Sequence, residues 1–255
     1  MGVARWVAGL GLVAAAAACA APRAAVEEAA PTAPEALDAF VEAQMRALRV
    51  PGLSVAVVDR DGLVWSGAFG WADVEQQIPV TRETRFHLAS VSKTVTAAAI
   101  LQAVERGTVD LDSPADTWLP FSLVHPAHPD EPITLRRLLT HTSGIRDNWR
   151  IMDGLYVEGD SPWGLEAFLR SYLVPGGEHY DAGRNFRKDA PGTRHSYSNV
   201  GVMLAAYVVE EAAGVPFDHL SESTLLAPLG LRDVRWRLSA MDPATVALPH
   251  ERTSA

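Results

Sequence analysis

Two β-rich runs flank Asp61-Gly62 in GLSVAVVDRDGLVWSGAFGWAD, residues 52 to 73, and no other stretch constrains the fold as tightly. Asp-Gly between such runs is a strong hairpin signal. A lone hairpin is marginal in water, so this one must join a sheet or be covered by a helix. A helix is expected just before it, from Pro34 to Leu48. Thr32 and Glu35 have capping-box spacing, Pro34 suits an early helical position, and Leu37, Phe40, Val41 and Leu48 share a face. After Lys93 the pattern turns helical. Residues 93 to 106 read as a helix stopped by Gly107, and ITLRRLLTHTSGI as a short helix running into a glycine turn. Asn199 to Ala213 reads as a helix ended by Gly214. Ser113-Pro114 and Ser161-Pro162 each look like an N-cap followed by a first-turn proline, and VRWRL near the C-terminus is a short strand candidate. A helix and a hairpin therefore come first, then a long, mostly helical section, with no internal repeat.

With 255 residues and 48% hydrophobic content, the chain can bury a sizeable core, in one large domain or two intertwined lobes. A formal charge of −9 with no basic run argues against a nucleic-acid partner. Residues 1–20 read as an export signal: Arg5 is the only charge, followed by a short apolar run and small residues. Cys19, the only cysteine, closes AAAC. One reading is a lipobox, with Cys19 lipidated and attaching the protein to a membrane, although Ala16 stands where a large aliphatic residue is usual. The other is ordinary cleavage after Ala18-Cys19-Ala20. Both imply an exported protein, periplasmic or membrane-anchored. Residues 21–33, rich in Ala, Pro and Glu, read as a linker, and 34–255 as the folded domain.

Of the 22 cationic residues only Lys93 and Lys188 are lysines. Where a chain uses arginine almost everywhere, a lysine three residues after Ser90 points to a task arginine cannot perform. A serine hydroxyl is a poor nucleophile until a base takes its proton. A serine at a helix start and a lysine one turn later share a face. The helix N-terminus favours an oxyanion and disfavours an ammonium, whereas a guanidinium cannot deprotonate. Lys93 is thus read as the base for Ser90. The bland alternative is Ser92 as a cap and Lys93 as an exposed helix residue. A second group, Tyr197-Ser198-Asn199, follows the turn at Pro191-Gly192. A phenol can relay a proton to a leaving group and an amide can hold a substrate carbonyl. Equally, Tyr197 fits a buried tyrosine and Asn199 a helix cap.

Together these motifs resemble the serine β-lactamase and penicillin-binding-protein superfamily, in the branch of class C β-lactamases, D-alanyl-D-alanine carboxypeptidases and related esterases. The resemblance runs from about Val50 to Val246. It includes VPGLSVAVVDRDG, FGWADVEQQIPVTRETRFHLASVSK, ERGTVDLDSPADTWLP, ITLRRLLTHTSGI, PGTRHSYSN and PLGLRDV. It implies an α/β fold of the α+β type: an antiparallel sheet flanked by helices, plus an all-helical lobe. It implies Ser90 as the acylated nucleophile, Lys93 as general base, Tyr197 as proton relay and Asn199 as a substrate-binding residue. No cofactor or metal is implied. The substrate would be a small molecule or peptide: a β-lactam, a D-Ala-terminated peptide or an ester.

The family pattern also includes a Lys or His two residues before a Gly, on a strand that supplies the second oxyanion N–H. After Asn199 the glycines are Gly201, Gly214 and Gly230, and none has Lys or His two places earlier. The expectation is therefore a C-terminally truncated member, lacking its last strands and closing helix, with low stability and slow turnover. The competing reading is a catalytically impaired homologue or an exported binding module on the same scaffold. GDSPW is similar to the GDSL esterase motif, but Ser161-Pro162 is better read as a helix start. His125, His128, Asp130 and Glu131 are close enough in sequence for a metal site on paper, yet their Pro-rich spacing favours a solvated loop.

Overall fold

The computed structural model describes residues 34–250 of the chain. Cys19, the signal and linker segments, and Thr32 lie outside the described residues. The rest falls into two compact units, residues 34–87 with 244–250, and residues 88–243.

In the first unit, helix α1 (Pro34–Leu48) precedes strands β1 (Gly52–Asp59) and β2 (Gly62–Asp73), as the apolar periodicity and the turn signal predict. The hairpin is antiparallel, with Gly52 opposite Gly70 and a bulge between Val57 and Val58. Asp59 Oδ1 accepts from the N–H groups of Asp61 and Gly62 at 2.8 and 3.1 Å, which closes the turn. The Gly52–Gly70 pair is a steric requirement. A Cβ on Gly52 would lie 2.2 Å from the Trp71 carbonyl oxygen, and Gly70 has φ of 70° with the Pro51 carbonyl oxygen 2.1 Å from its Cβ position. Strand β3 (Ile78–Pro79) extends the order to β1-β2-β3. Residues 245–248 return to this unit: Val246 bridges Arg85, the Leu248 N–H reaches the Ala72 carbonyl at 2.9 Å, and Ala247 packs with Ala72 and Val80.

The second unit is helical. Its elements are α2 (Ser92–Glu105), α3 (Leu135–Leu139), α4 (Trp149–Met152), α5 (Leu165–Leu173), α6 (Ala182–Asn185), α7 (Asn199–Ala213) and α8 (Phe217–Ser221). Its core runs through Ile100, Leu138, Ile145, Leu169, Tyr172, Phe186, Leu204 and Tyr207. Helix α7 is its axis, with every residue from Val200 to Val209 except Met203 buried. Ser198 caps it by accepting from the Gly201 N–H at 2.9 Å, and Gly214 ends it in the left-handed conformation. Among the described residues no single helix is long and apolar enough to cross a membrane.

Three local expectations are corrected. Ser113 caps no helix: its N–H and hydroxyl both donate to Asp110 Oδ1, at 2.8 and 3.0 Å, and Pro114 leads into a single 3₁₀ turn. Ser161 closes a tight turn by accepting from the Trp163 N–H at 3.2 Å, and α5 begins only at Leu165, behind Gly164. VRWRL forms no strand. The Trp236 indole donates to Ser221 Oγ at 2.7 Å, while Arg235 and Arg237 pair with Glu222 and Asp218. The alternation of that segment is consumed by packing on α8 rather than by a ladder.

Candidate active site

Ser90 lies on a 3₁₀ turn, Ala89–Val91, immediately before α2 rather than in the helix itself. Ala89 holds φ at 45°, a left-handed conformation that costs a non-glycine residue about 1–2 kcal/mol. Two hydroxyls brace the turn, Ser92 Oγ donating to the Ala89 carbonyl and Thr94 Oγ1 to the Val91 carbonyl, both at 2.7 Å. Ser92 is therefore a bracing residue, not a cap. The three-residue spacing brings Lys93 Nζ to 3.3 Å from Ser90 Oγ. From the other side Tyr197 Oη donates to the same oxygen at 2.9 Å, across 107 residues of sequence. Lys93 Nζ also stands 5.0 Å from the centre of the Tyr197 ring, close enough for a cation–π contact. Tyr197 is 46% exposed, so it is not the buried tyrosine of the bland reading, and Ser90, whose hydroxyl it meets, is exposed.

Asn199 is the first residue of α7, and it faces a carboxylate that the sequence did not single out. Its backbone N–H and Nδ2 donate to Asp147 Oδ2 at 2.9 and 2.7 Å. Ser198 Oγ and the Val200 N–H donate to Asp147 Oδ1 at 3.0 and 3.1 Å. Asp147 thus takes four hydrogen bonds at the positive end of α7. Since a carboxylate only accepts, the Asn199 amide must turn its nitrogen toward Asp147. The capping role belongs to Ser198 and Asp147. Among the described residues Asn199 makes no hydrogen bond with Ser90, Lys93 or Tyr197.

Asp147 is itself held from behind by a buried polar network. The Tyr172 hydroxyl donates to the Arg146 carbonyl at 2.8 Å and accepts from the Asn148 N–H at 2.7 Å, bracketing Asp147 on both sides. Asn148 Nδ2 reaches Asn185 Oδ1 at 3.0 Å, and Asn185 Nδ2 serves the carbonyls of Tyr172 and His179 at 2.9 and 2.7 Å. Burial pushes the Tyr172 phenol far above its ordinary pKa, which keeps it a neutral donor. His141 also reaches the Tyr197 segment, through hydrogen bonds to the N–H groups of Ser196 and Ser198.

The other nucleophile and metal readings resolve into structure. Asp160, in GDSPW, accepts from the Leu238 and Ser239 N–H groups at 2.6 and 3.1 Å. Of the four residues read as a solvated loop, His125 is instead 1% exposed, His128 Nε2 bonds the Lys188 carbonyl at 2.8 Å, and Glu131 pairs with Arg137. Among the described residues no three His, Cys, Asp or Glu side chains converge as metal ligands. An open cleft lined by Val215, Pro216, His219 and Ala240 lies at the C-terminal end of α7 and contains none of the residues around Ser90.

The fold is that of the serine hydrolases of β-lactamase and penicillin-binding-protein type. The chain belongs to the family described as Beta-lactamase, whose profile matches residues 37–254. It is similar to esterase EstB of Burkholderia gladioli, 35% identical over 84% of this chain and 54% of that protein. It is similar to a D-aminopeptidase of Brucella anthropi, 30% identical over 77% of this chain and 35% of that one. Among solved structures it resembles EstCE1, a hydrolase with promiscuous acyltransferase activity, with a TM-score of 0.68 and 27% identity, covering 85% of this chain and 56% of that one. The chain spans about half the length, or less, of these relatives.

Proposed function

We propose that this protein is an acyl-transfer hydrolase acting through Ser90. One observation carries the reading: a single exposed hydroxyl, Ser90 Oγ, is contacted at once by Lys93 Nζ at 3.3 Å and Tyr197 Oη at 2.9 Å. In the first step Lys93 Nζ takes the Ser90 proton, and Oγ bonds to the substrate carbonyl carbon. The tetrahedral adduct expels its leaving amine or alkoxide, which receives that proton through Tyr197. Water then adds to the Ser90 ester along the reverse route, releasing the carboxylic acid and restoring the hydroxyl. The substrate class is a β-lactam, a D-Ala-terminated peptide or an ester. Its support is that similar proteins are named for esterase, β-lactamase and D-aminopeptidase activity. Asn199, oriented by Asp147, serves as the substrate-binding amide. Export belongs to the same reading, through residues 1–20 with Cys19 cleaved or lipidated, and is checked by fractionating expressing cells with and without Cys19→Ser.

The roles are separated by two variants at one position. Lys93→Arg keeps a basic side chain of nearly the same length but cannot accept a proton. It should acylate with a fluorophosphonate as slowly as Lys93→Ala, at least about a hundredfold below the parent chain. Near-parent labelling of Lys93→Arg means that Lys93 acts by charge or packing and that the base lies elsewhere.

A further inference from the structure

His141 sits in the turn that follows α3, with φ of 56° in the left-handed region. That backbone offers two acceptors to one stretch of chain. The His141 carbonyl takes the Ser196 N–H at 2.7 Å, and ring Nδ1 takes the Ser198 N–H at 3.2 Å. Tyr197 lies between those two residues, and its ring centre is 4.6 Å from that of the imidazole. Both chain neighbours of Tyr197 are therefore tied to one residue, and the phenol that reaches Ser90 rests on that residue's ring. An accepting Nδ1 carries no proton, so the neutral ring holds its proton on Nε2.

We infer that His141 is a positioning residue for Tyr197, competent only as the neutral Nε2–H imidazole, and that protonating it disengages Ser198 and switches off acylation of Ser90. The inference rests on the acylating-site reading above. Protonation would set an Nδ1–H against the Ser198 N–H, turning a hydrogen bond into a donor–donor clash. It would also set a cation beside Lys93, opposing uptake of the Ser90 proton there. The charged and titratable groups facing His141 are Lys93 from α2, His195 and Tyr197 from the segment before α7, and Asp147 from the loop after α3. Burial holds the imidazole pKa below its ordinary value, His195 and Lys93 act in the same direction, and Asp147 opposes them. Asp147, however, is engaged by four donors at the start of α7. The neutral ring is thus the resting form at neutral pH, and the switch operates on the acid side.

Asparagine is the informative substitution. Its Oδ1 occupies nearly the position of Nδ1, it accepts without titrating, and it tolerates left-handed backbone better than other non-glycine residues. The rate of Ser90 labelling by a fluorophosphonate is measured from pH 5 to 8 for the parent, His141→Asn and His141→Ala. Below the imidazole pKa the parent should lose about tenfold more per pH unit than His141→Asn, in which any fall set by the proton-accepting base alone remains. His141→Ala should be roughly five- to tenfold slower even at pH 8. An acid limb in His141→Asn identical to the parent's overturns the inference. A second readout needs no activity: long-range ¹H–¹⁵N spectra of the parent should show His141 unprotonated at Nδ1 at pH 7.5, with the Ser198 amide shifting as the ring titrates. A proton on Nδ1 overturns the inference even if Ser90 labels normally. Absence of Ser90 labelling in the parent at every pH instead overturns the acylating-site reading, and the switch with it.

Discussion

Replacing Asp147 by asparagine tests whether one carboxylate organises the start of α7. The change is nearly isosteric, so no cavity or overpacking is introduced. It converts one acceptor oxygen into an NH₂ group. Whichever way the new amide turns, two of the four donors lose their partner: Asn199 N–H and Nδ2 on one side, or Ser198 Oγ and the Val200 N–H on the other. Hydrogen bonds to a charged partner contribute about 1.5–3 kcal/mol each, and a buried donor left alone costs about 1–3 kcal/mol. Losing the negative charge at the helix N-terminus adds about 0.3–1 kcal/mol. These contributions are not additive, since the four bonds share one group, and a net loss of about 2–4 kcal/mol is expected. For a unit the size of residues 88–243, 1 kcal/mol shifts the melting temperature by roughly 2–4 °C, so Asp147→Asn should melt roughly 4–16 °C lower. Hydrogen exchange localises the effect: the Val200 and Gly201 amides should lose protection relative to the buried middle of α7. Asp147→Glu should recover part of the loss. A shift under about 1 °C with unchanged exchange at Val200 and Gly201 would mean that Asp147 does not organise the start of α7, because four short bonds to one carboxylate would then contribute nothing.

Tyr172→Phe removes the hydroxyl that brackets Asp147 and leaves the buried Asn148 N–H without its acceptor. It should cost about 1–3 kcal/mol by urea denaturation and slow Ser90 labelling; unchanged labelling would separate the network from the site. His125 is buried, Nε2 has no hydrogen-bond partner among the described residues, and burial followed by the nearby His128 holds its pKa below the ordinary imidazole value. The unfolded chain therefore binds a proton more readily than the folded one. This contribution to stability is present above about pH 6.5 and is lost as pH falls from there toward the depressed folded value. The urea midpoint should fall between pH 7 and 5, less steeply in His125→Gln; identical slopes would assign the acid sensitivity to other groups.

Elements whose boundaries are fixed by local chemistry were legible in the sequence. The Asn199–Ala213 helix has its own cap and glycine stop, the hairpin its Asp61-Gly62 turn, and the Pro34–Leu48 helix its apolar periodicity. Ser161-Pro162 and VRWRL misled because their polar groups have distant partners: Asp160 is drawn to the backbone at 238–239, and Trp236 to Ser221. The same distinction divides the site. Ser90 and Lys93 announce themselves by spacing, and Tyr197-Ser198-Asn199 by composition beside a helix start. Asp147, His141 and Tyr172 carry no such signal. Asp147 acts on residues 51 to 53 positions away, His141 on one 57 positions away, and Tyr172 on one 26 positions away. Two readings of Asn199 show the limit: a helix-starting amide and a site amide look alike until the carboxylate that orients it is found.

Peptide mapping by mass spectrometry, after exposure to a fluorophosphonate and, separately, to a penicillin, shows whether Ser90 is the nucleophile. One adduct per chain is expected, located on Ser90, absent from Ser90→Ala and strongly reduced in Lys93→Ala. Ser92 is occupied in bracing the turn, and Ser143 is buried with its oxygen turned to the Ile145 N–H. An adduct on Ser92, Ser143 or Ser161, or labelling that survives in Ser90→Ala, would contradict it.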